Sequence, residues 1–128
     1  MIKFVYCVRK KEGTSDEDFY RYWKENHGPL VRSFSETMGS VKYVQSHTID
    51  TVLNPVGQQV RGMRPAYDGI TEVWFESAEA LAEMLKTDVG KAANKTLIED
   101  EARFCELREC SVFLTEEHVI FDHTKAEN

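Results

Sequence analysis

The sequence predicts an α+β fold, a ferredoxin-like βαββαβ sandwich that forms a dimeric α/β barrel. The predicted elements follow the order strand, helix, strand, strand, helix, strand, which is a pair of βαβ units. Helices from both crossovers would cover one face of the sheet, and the other face would carry more apolar surface than a monomer exposes. We expect a second copy to cover that face, which carries Phe4, Tyr6, Val8, Ile70 and Trp74.

A chain of 128 residues is long enough for one domain that buries roughly two thirds of its unfolded surface. We assign residues 1–115 to this domain. Residues 116–128 become charged at the end, and we expect them to contact the dimer partner and then to form a loose terminus.

The charge pattern narrows the possible partners. The chain has 16 basic and 22 acidic residues, a net charge of −6, and no basic cluster that would neutralise a run of phosphates. Nucleic acid and anionic membranes are therefore not expected partners. With no apolar run of about 20 residues and no secretory pattern, the sequence predicts a cytoplasmic protein. Three cysteines, Cys7, Cys105 and Cys110, fit reduced thiols better than a disulfide framework.

The first strand and the first helix have distinct patterns. Residues 2–9 are rich in β-branched and aromatic types and apolar on both alternating sets, which is typical of a strand covered on both faces. Thr14 or Ser15 provides an N-cap for a helix that carries Phe19 and Trp23 on one face. Gly28-Pro29 is expected to interrupt this helix. His27 would then lie at a helix C-terminus, where the dipole favours its protonated form.

The second strand, residues 41–50, is informative because of its alternation. Tyr43, Gln45 and His47 point to one side, and Val44 and Ser46 point to the other. Three hydrogen-bonding side chains on one face are either a solvated face or the wall of a cavity. Residues 51–68 show no clear periodicity and exceed the usual loop length of about 12 to 15 residues, so they are a candidate lid.

The second half of the chain continues the alternation of strands and helices. A third strand at 69–75 places Ile70, Glu72 and Trp74 on one face. Ser77 caps the following helix, and a further helical stretch is expected to start at about Asp88, after a break near residues 89–90, and to end near residue 104. The last strand is predicted at 108–115.

The most specific motif spans Phe19 to Val31 and has the pattern Phe-x-x-Tyr-Trp-x-x-x-His-Gly-Pro-Leu-Val. This motif resembles the EthD-like family, as do Tyr43-x-x-x-His47 and Asp68-Gly69-Ile70-x-Glu72-x-Trp74-Phe75. The resemblance covers roughly residues 1 to 115, the size of one domain. It implies a small protein of the dimeric α+β barrel superfamily. Some members look like cofactor-independent decarboxylases or cyclase-like enzymes for aromatic or polyketide compounds, and others have no assigned activity.

We expect a pocket between the sheet and the first helical segment. Aromatic walls with a few polar groups suit a flat, partly apolar ligand, and Tyr, His and Glu side chains can each move a proton. The expected walls and catalytic groups are Phe4, Tyr6, Tyr43, His47, Glu72 and Trp74, with His27 at the mouth and Arg61, Arg64 and Asp68 as further substrate-binding candidates. Solvation is the favoured role of the two arginines.

Structural roles compete with these catalytic ones. The structural role of His27 would be to satisfy a helix end, that of His47 to bond a backbone carbonyl, and that of Glu72 to pair with a lysine such as Lys42. The four histidines, at 27, 47, 118 and 123, form no metal-binding spacing, and the cysteines supply no zinc knuckle, so no metal is expected. No glycine-rich phosphate loop or nucleotide fingerprint occurs, so no nucleotide cofactor is expected.

The sequence therefore predicts a small-molecule enzyme of lyase, cyclase or isomerase type that uses acid and base side chains and no cofactor. His47 or His27 would withdraw or return a proton, while Tyr43 donates a hydrogen bond to a developing enolate or phenolate oxygen. Two other classes remain open. One is a monooxygenase, cofactorless or haem-dependent, because some relatives in the wider barrel superfamily bind haem or use oxygen. The other is a non-catalytic small-molecule-binding protein.

Overall fold

The computed structural model describes residues 1–125 and has the α+β ferredoxin-like fold. The strands are β1 (Ile2–Val8), β2 (Ser40–His47), β3 (Gly69–Phe75) and β4 (Ser111–Thr115). They form one sheet in the order β2-β3-β1-β4, and every neighbouring pair is antiparallel. The helices are α1 (Asp16–Tyr22), α2 (Gly28–Ser33), α3 (Ser35–Met38), α4 (Leu53–Gln59), α5 (Ala78–Lys86) and α6 (Asp88–Phe104). No helix among residues 1–125 is long and apolar enough to cross a bilayer.

The helical region does not break at Gly28-Pro29, so that prediction is wrong. Ser15 caps α1 as expected, and a π-helical turn, Trp23–His27, joins α1 directly to α2. The N–H of Gly28 donates to the carbonyl of Trp23, one residue farther back than in an α-helix. Gly28 keeps helical angles before Pro29 because it has no Cβ to clash with the proline ring. His27 consequently lies within a continuous helical segment and not at a helix end.

The strand register decides which side chains face the helices. β1 pairs Tyr6 with Thr71 of β3, and β2 pairs Tyr43 with Val73 of the same strand. Directly paired residues project to the same side of a sheet. The helix-covered face therefore carries Phe4, Tyr6, Val8, Tyr43, Gln45, His47, Thr71 and Val73.

Our assignment of Phe4, Tyr6 and Val8 to the open face is wrong. Tyr6 and Val8 belong to the buried core with Phe19, Trp23, Phe104 and Cys105, and Phe4 packs against it. Because both alternating sets of β1 are apolar, periodicity alone does not say which set faces inward. Ile70 and Trp74 do lie on the open face, opposite Cys7 and Lys3 of β1.

The open face remains apolar, although with other residues than expected. Ile70 is 40% exposed and Phe113 is 47% exposed, and Val5 and Cys7 lie between them on β1. A salt bridge of 2.7 Å between Lys3 Nζ and Glu72 Oε2 crosses this face. Apolar surface of this kind on a sheet is usually covered by another layer of protein.

The remaining elements refine the sequence-based boundaries. Residues 51–68 contain the helix α4, so they are not an irregular loop throughout. Ser77 caps α5 as predicted, and the break before the last helix falls at Thr87, whose side chain accepts from the N–H of Gly90. β4 begins at Ser111 after a short 3₁₀ turn, Leu107–Glu109. Residues 116–125 contain no regular element, and the predicted loose terminus extends into 126–128, which lie outside the described residues.

Candidate active site

A cavity of about 150 Å³ lies between the helix-covered face of the sheet and the helices. Its walls are largely aromatic and aliphatic, and they include Phe4, Trp23, Val73 and Phe104. The polar groups that reach it are Tyr6, His27, Tyr43, Thr71, Asn94 and Glu101. A dry cavity of about 150 Å³ is large enough to hold a benzene molecule. An enclosed apolar space with few polar groups is the usual form of a small-molecule site.

A wider cleft of about 650 Å³ adjoins this cavity at the protein surface. It lies between the helical segment 24–35 and strand β2, and it shares Val31, Ser40 and Tyr43 with the cavity. Tyr43 therefore stands at the boundary between the two spaces.

His27 was predicted at the mouth of the cavity, but it is buried in the cavity wall. Its Nδ1 lies 2.7 Å from Oδ2 of Asp100 on α6, and both residues are buried. The other carboxylate oxygen of Asp100 accepts from the Tyr22 hydroxyl at 2.5 Å and from Arg103 at 2.9 Å. Asp100 is thus fixed by three donors, and it in turn orients the imidazole of His27.

The protonation of the pair follows from its surroundings. Burial lowers the pKa of His27 more than the hydrogen bond and charge of Asp100 raise it, so His27 is neutral near pH 7. Burial alone would raise the pKa of Asp100, but hydrogen bonds from Tyr22, His27 and Arg103 outweigh burial and lower it. The expectation of a protonated His27 at a helix end is therefore wrong.

A neutral His27 beside a carboxylate has one tautomer that fits. Its Nδ1–H donates to Asp100, and its Nε2 then carries a lone pair. Nε2 makes no hydrogen bond within residues 1–125, and no deeply buried side-chain nitrogen in that range lacks a partner, so Nε2 keeps access to the cavity. An imidazole held by a carboxylate on one nitrogen and open on the other is arranged to accept a proton.

Glu101 supplies a second titratable group to the cavity, on the turn of α6 next to Asp100. Burial raises its pKa to about 7, although the neighbouring Tyr6 hydroxyl acts in the opposite direction. Burial and the nearby Glu101 in turn raise the pKa of Tyr6 above its ordinary value. The cavity therefore contains a carboxyl group that exchanges its proton near neutral pH, which suits general acid–base chemistry.

This assignment gives a prediction for stability. Between pH 4.5 and about 7, the folded protein holds the Glu101 proton more tightly than the unfolded chain, so stability falls as the pH rises through that window. We expect Glu101→Gln to remove this loss. The difference in free energy of unfolding between the variant and the wild type should therefore shift in favour of the variant by on the order of 1 to 3 kcal/mol from pH 4.5 to pH 8. Urea denaturation at both pH values measures it.

The control for Glu101→Gln is Glu99→Gln, which changes an exposed carboxylate on the same helix. Its effect on the free energy of unfolding should be small at both pH values. The assignment of Glu101 would be refuted if Glu101→Gln shifted the denaturation midpoint equally at pH 4.5 and pH 8.

His47 has a positioning role in the structure. Its ring stacks on Trp23 at 4.4 Å, and its Nε2 lies 2.9 Å from Oε1 of Gln45. The amide nitrogen of Gln45 donates to the carbonyl of Trp23 at 2.8 Å, and a carbonyl can only accept, so the amide orientation is fixed. His47 Nε2 must then carry its proton and donate it to Gln45. This nitrogen has no free lone pair, unlike Nε2 of His27.

Tyr43 is held by the same network and reaches the cavity. Its hydroxyl oxygen accepts from Gln45 Nε2 at 2.9 Å, which leaves the hydroxyl hydrogen free to donate. Burial raises the pKa of Tyr43 above its ordinary value, so the hydroxyl stays protonated at neutral pH. The structure thus places Tyr43 as a hydrogen-bond donor at the boundary of cavity and cleft.

Glu72 and Trp74 do not line the cavity, because they lie on the open face of the sheet. Val44 is the partner of Glu72 across β2, so Glu72 points away from Tyr43. Glu72 pairs with Lys3 and not with Lys42. The indole of Trp74 donates to Glu117, and the Lys42 ammonium lies 4.8 Å from its ring.

The other substrate-binding candidates also lie elsewhere. Arg61 donates to the carbonyl of Gly57 at 2.8 Å on the exposed α4 segment, and Arg64 is exposed. Asp68 accepts from the N–H of Lys10 at 2.8 Å, and its carbonyl accepts from the Tyr20 hydroxyl. None of the three lines the cavity or the cleft. No three His, Cys, Asp or Glu side chains in residues 1–125 are grouped to hold a metal ion.

Sequence analysis missed Asp100 and Glu101, although α6 carries a signal for both. The buried positions of α6 are Gly90, Ala93, Leu97, Asp100 and Phe104, at helical spacing. An aspartate in an apolar stripe is rarely buried unless it has partners. Extending the stripe through 97 and 104 would have marked these carboxylates as candidates for a buried site.

A four-stranded antiparallel sheet with helices on one face defines the α+β ferredoxin-like class of protein. The EthD domain matches residues 11–108. The chain therefore belongs to the EthD family. No protein of curated function matches the sequence.

Several solved structures have the same fold. An EthD family protein from Bacillus halodurans C-125 has a TM-score of 0.62 and 19% identity, covering 92% of this chain and 99% of its own. A dimeric ferredoxin-like protein of unknown function from Bacteroides fragilis has a TM-score of 0.57 and 8% identity, covering 91% and 95%. An antibiotic biosynthesis monooxygenase has a TM-score of 0.51 and 13% identity, covering 93% and 100%. At such identities the likeness shows the fold alone.

Proposed function

We propose that this EthD-family protein is an enzyme that moves a proton on a flat, partly apolar small molecule without a cofactor, in lyase, cyclase or isomerase chemistry. The observation that carries the proposal is the His27–Asp100 pair, 2.7 Å apart, with Nε2 of His27 open to an enclosed cavity. A buried, neutral imidazole that a carboxylate orients is a general base. Glu101, with a pKa of about 7, serves as a second proton carrier in the same space.

The proposed first step breaks a C–H bond beside a carbonyl group. The proton goes to Nε2 of His27, and the electron pair moves onto the carbonyl oxygen as an enolate. The hydroxyl of Tyr43 donates a hydrogen bond to this oxygen, and in a low-dielectric cavity such a bond is worth more than in water. Return of the proton at another carbon gives an isomer, and attack of the enolate on a second carbonyl gives a ring.

Native mass spectrometry of the protein purified from its own host tests this proposal. We expect a co-purifying organic molecule with at least one ring and a carbonyl or phenol group. Turnover of that molecule under nitrogen at the rate seen in air supports proton-transfer chemistry. Dependence of the rate on oxygen, or a Soret band from bound haem, would overturn the proposal.

A monooxygenase is the alternative that one structural neighbour favours, since that protein is an antibiotic biosynthesis monooxygenase. A cavity of about 150 Å³ accepts one ring and not a haem macrocycle unless the helices move apart. The cofactorless form of this chemistry therefore fits the cavity better than the haem-dependent form. Stoichiometric oxygen uptake with the co-purifying molecule distinguishes it from proton transfer alone.

We also propose that the chain is a homodimer through its open sheet face, with an interface of more than about 1,200 Å². Ile70 and Phe113 lie exposed on this face, and the Bacteroides neighbour is dimeric. Light scattering should give the mass of two chains for the wild type. Phe113→Asp should give the mass of one chain, because a buried unpaired charge opposes association.

Val89→Asp is the control for this test, since Val89 is 68% exposed on α6 and outside the open face. It should remain dimeric. A wild-type mass of one chain at micromolar concentration would contradict the dimer, and so would equal masses for Phe113→Asp and the wild type.

A further inference from the structure

The cleft outside the cavity is positively charged in a protein that is negatively charged overall. The chain has a net charge of −6, yet the cleft is lined by the cations Lys24 and Arg32 and by no aspartate or glutamate. Acidic side chains outnumber basic ones in the chain, 22 to 16, so a lining with two cations and no acid departs from the average surface. A cleft lined by positive charge attracts negatively charged ligands.

The cations of the cleft have no carboxylate partners. Several lysines and arginines elsewhere form ion pairs, as Lys10 does with Asp16 and Arg21 with Asp18. None of the ion pairs found within residues 1–125 includes Lys24, Arg32 or Lys42. The Lys42 ammonium lies 4.8 Å from the Trp74 ring, on the open face of the sheet, so it does not face the cleft. Lys24 and Arg32 are the cations with no such contact.

The charge of Lys24 acts on His47, which lines the cleft. Burial lowers the pKa of His47, and the charge of Lys24 lowers it further. Lys24 lies on the π-helical turn Trp23–His27, and Arg32 lies in the last turn of α2. The continuous helical segment that directs His27 into the cavity therefore presents both cations on its outer side, along the cleft.

The connection between the two spaces sets the shape of the ligand. The cavity of about 150 Å³ is the size of one ring, and the cleft of about 650 Å³ begins where Val31, Ser40 and Tyr43 border both. A ring held near His27 must extend its substituents past Tyr43 into the cleft. Any acidic substituent then meets Lys24 and Arg32.

We propose that the cleft is an anion subsite, and that the substrate is a one-ring or ring-forming molecule whose acidic substituent, a carboxylate or phosphate, binds Lys24 and Arg32. This inference rests on the proposed function, because it assigns the reacting ring to the cavity. The cations hold the acidic group outside the cavity and leave the carbon next to the carbonyl beside His27. An acid-free, neutral analogue would keep only the cavity contacts.

The test compares binding of phenylacetate, phenyl phosphate and the neutral phenylacetamide by isothermal titration calorimetry. At low ionic strength we expect at least one of the anions to bind at least about fivefold more tightly than the amide, since exposed ion pairs contribute modestly but add up at a shared group. The ratio should fall as salt screens the cations. The tighter of the two anions identifies the acidic group as carboxylate or phosphate.

Variants of the cleft complete the test. Lys24→Gln with Arg32→Gln should bring the affinity for the tighter anion down to that of the amide and leave amide binding unchanged. Arg108→Gln is the matched control, because its side chain is 91% exposed and does not line the cleft, and it should change nothing. Circular dichroism confirms folding of each variant.

Two results separate this inference from the proposed function. If the amide binds as tightly as both anions, or if the double variant keeps the preference for an anion, the anion subsite is overturned and the cavity remains. If none of the three one-ring probes binds, the one-ring cavity of the proposed function fails as well.

Discussion

His27→Asn is expected to lower kcat by about 10² to 10⁴ on the co-purifying substrate, since positioned proton transfer typically contributes that much. The asparagine amide nitrogen can replace Nδ1 as the donor to Asp100, so the buried carboxylate keeps a partner. What the substitution removes is the open Nε2. Steady-state kinetics on a variant with wild-type circular dichroism and dimer mass gives the measurement.

The pH profile distinguishes a catalytic histidine from a structural one. Burial lowers the pKa of His27 below 6.5, so the acid limb of the wild-type rate should lie below that pH, where the base becomes protonated. His27→Asn should lose this acid limb. If the His27→Asn variant kept the acid limb of the rate at the same pH, a group other than His27 would be responsible for that limb.

His47→Asn is the matched control, because it makes the same change at a histidine whose Nε2 is already used by Gln45. We expect a smaller loss than for His27→Asn, through a less well fixed Tyr43. Near-normal kcat for His27→Asn with loss of activity for His47→Asn would place the base on β2. Near-normal rates for both would exclude histidine as the base.

Periodicity predicted the elements well because each was supported by local chemistry. Ser15 and Ser77 are N-caps in both the sequence pattern and the structure, and Tyr43, Gln45 and His47 share a face as their alternation indicated. These features depend on neighbours in the sequence. The family motif around His27 and Pro29 is also a contiguous stretch, so it could be recognised in the sequence and it predicted the fold.

The composition of the site depends on pairings between distant residues. The predicted alternation of side chains is correct within β2 and within β3. However, Glu72 pairs with Val44, so Glu72 and Tyr43 lie on opposite faces of the sheet. Asp100 lies 73 positions from His27, and no local pattern joins them. Both apolar sets of β1 were equally suited to the core, so only the packing of Phe19 and Trp23 decides between them. Sequence analysis therefore found one half of the His27–Asp100 pair, the proposed site of proton transfer.

Trp23→Ala is expected to destabilise the protein by about 3 to 5 kcal/mol, the usual cost of removing a large buried aromatic ring. Trp23 is 1% exposed, stacks on His47 at 4.4 Å and lies so close to β3 that a Cβ on Gly69 would be 2.6 Å from its ring. Its loss leaves a void beside the cavity that the sheet cannot fill. Urea denaturation followed by circular dichroism measures the change.

Trp74→Ala is the matched control, provided that light scattering shows that it keeps the dimer mass, since it removes the other tryptophan from the open face, where the ring is only partly buried in one chain. In a variant kept folded at low temperature, the void left by Trp23 should also loosen His47 and Gln45, so ligand affinity falls together with stability. Wild-type denaturation midpoints with lost binding would show that Trp23 contacts the ligand and does not support the core. Equal destabilisation by both substitutions would mean that the helix-covered core is no better packed than the open face.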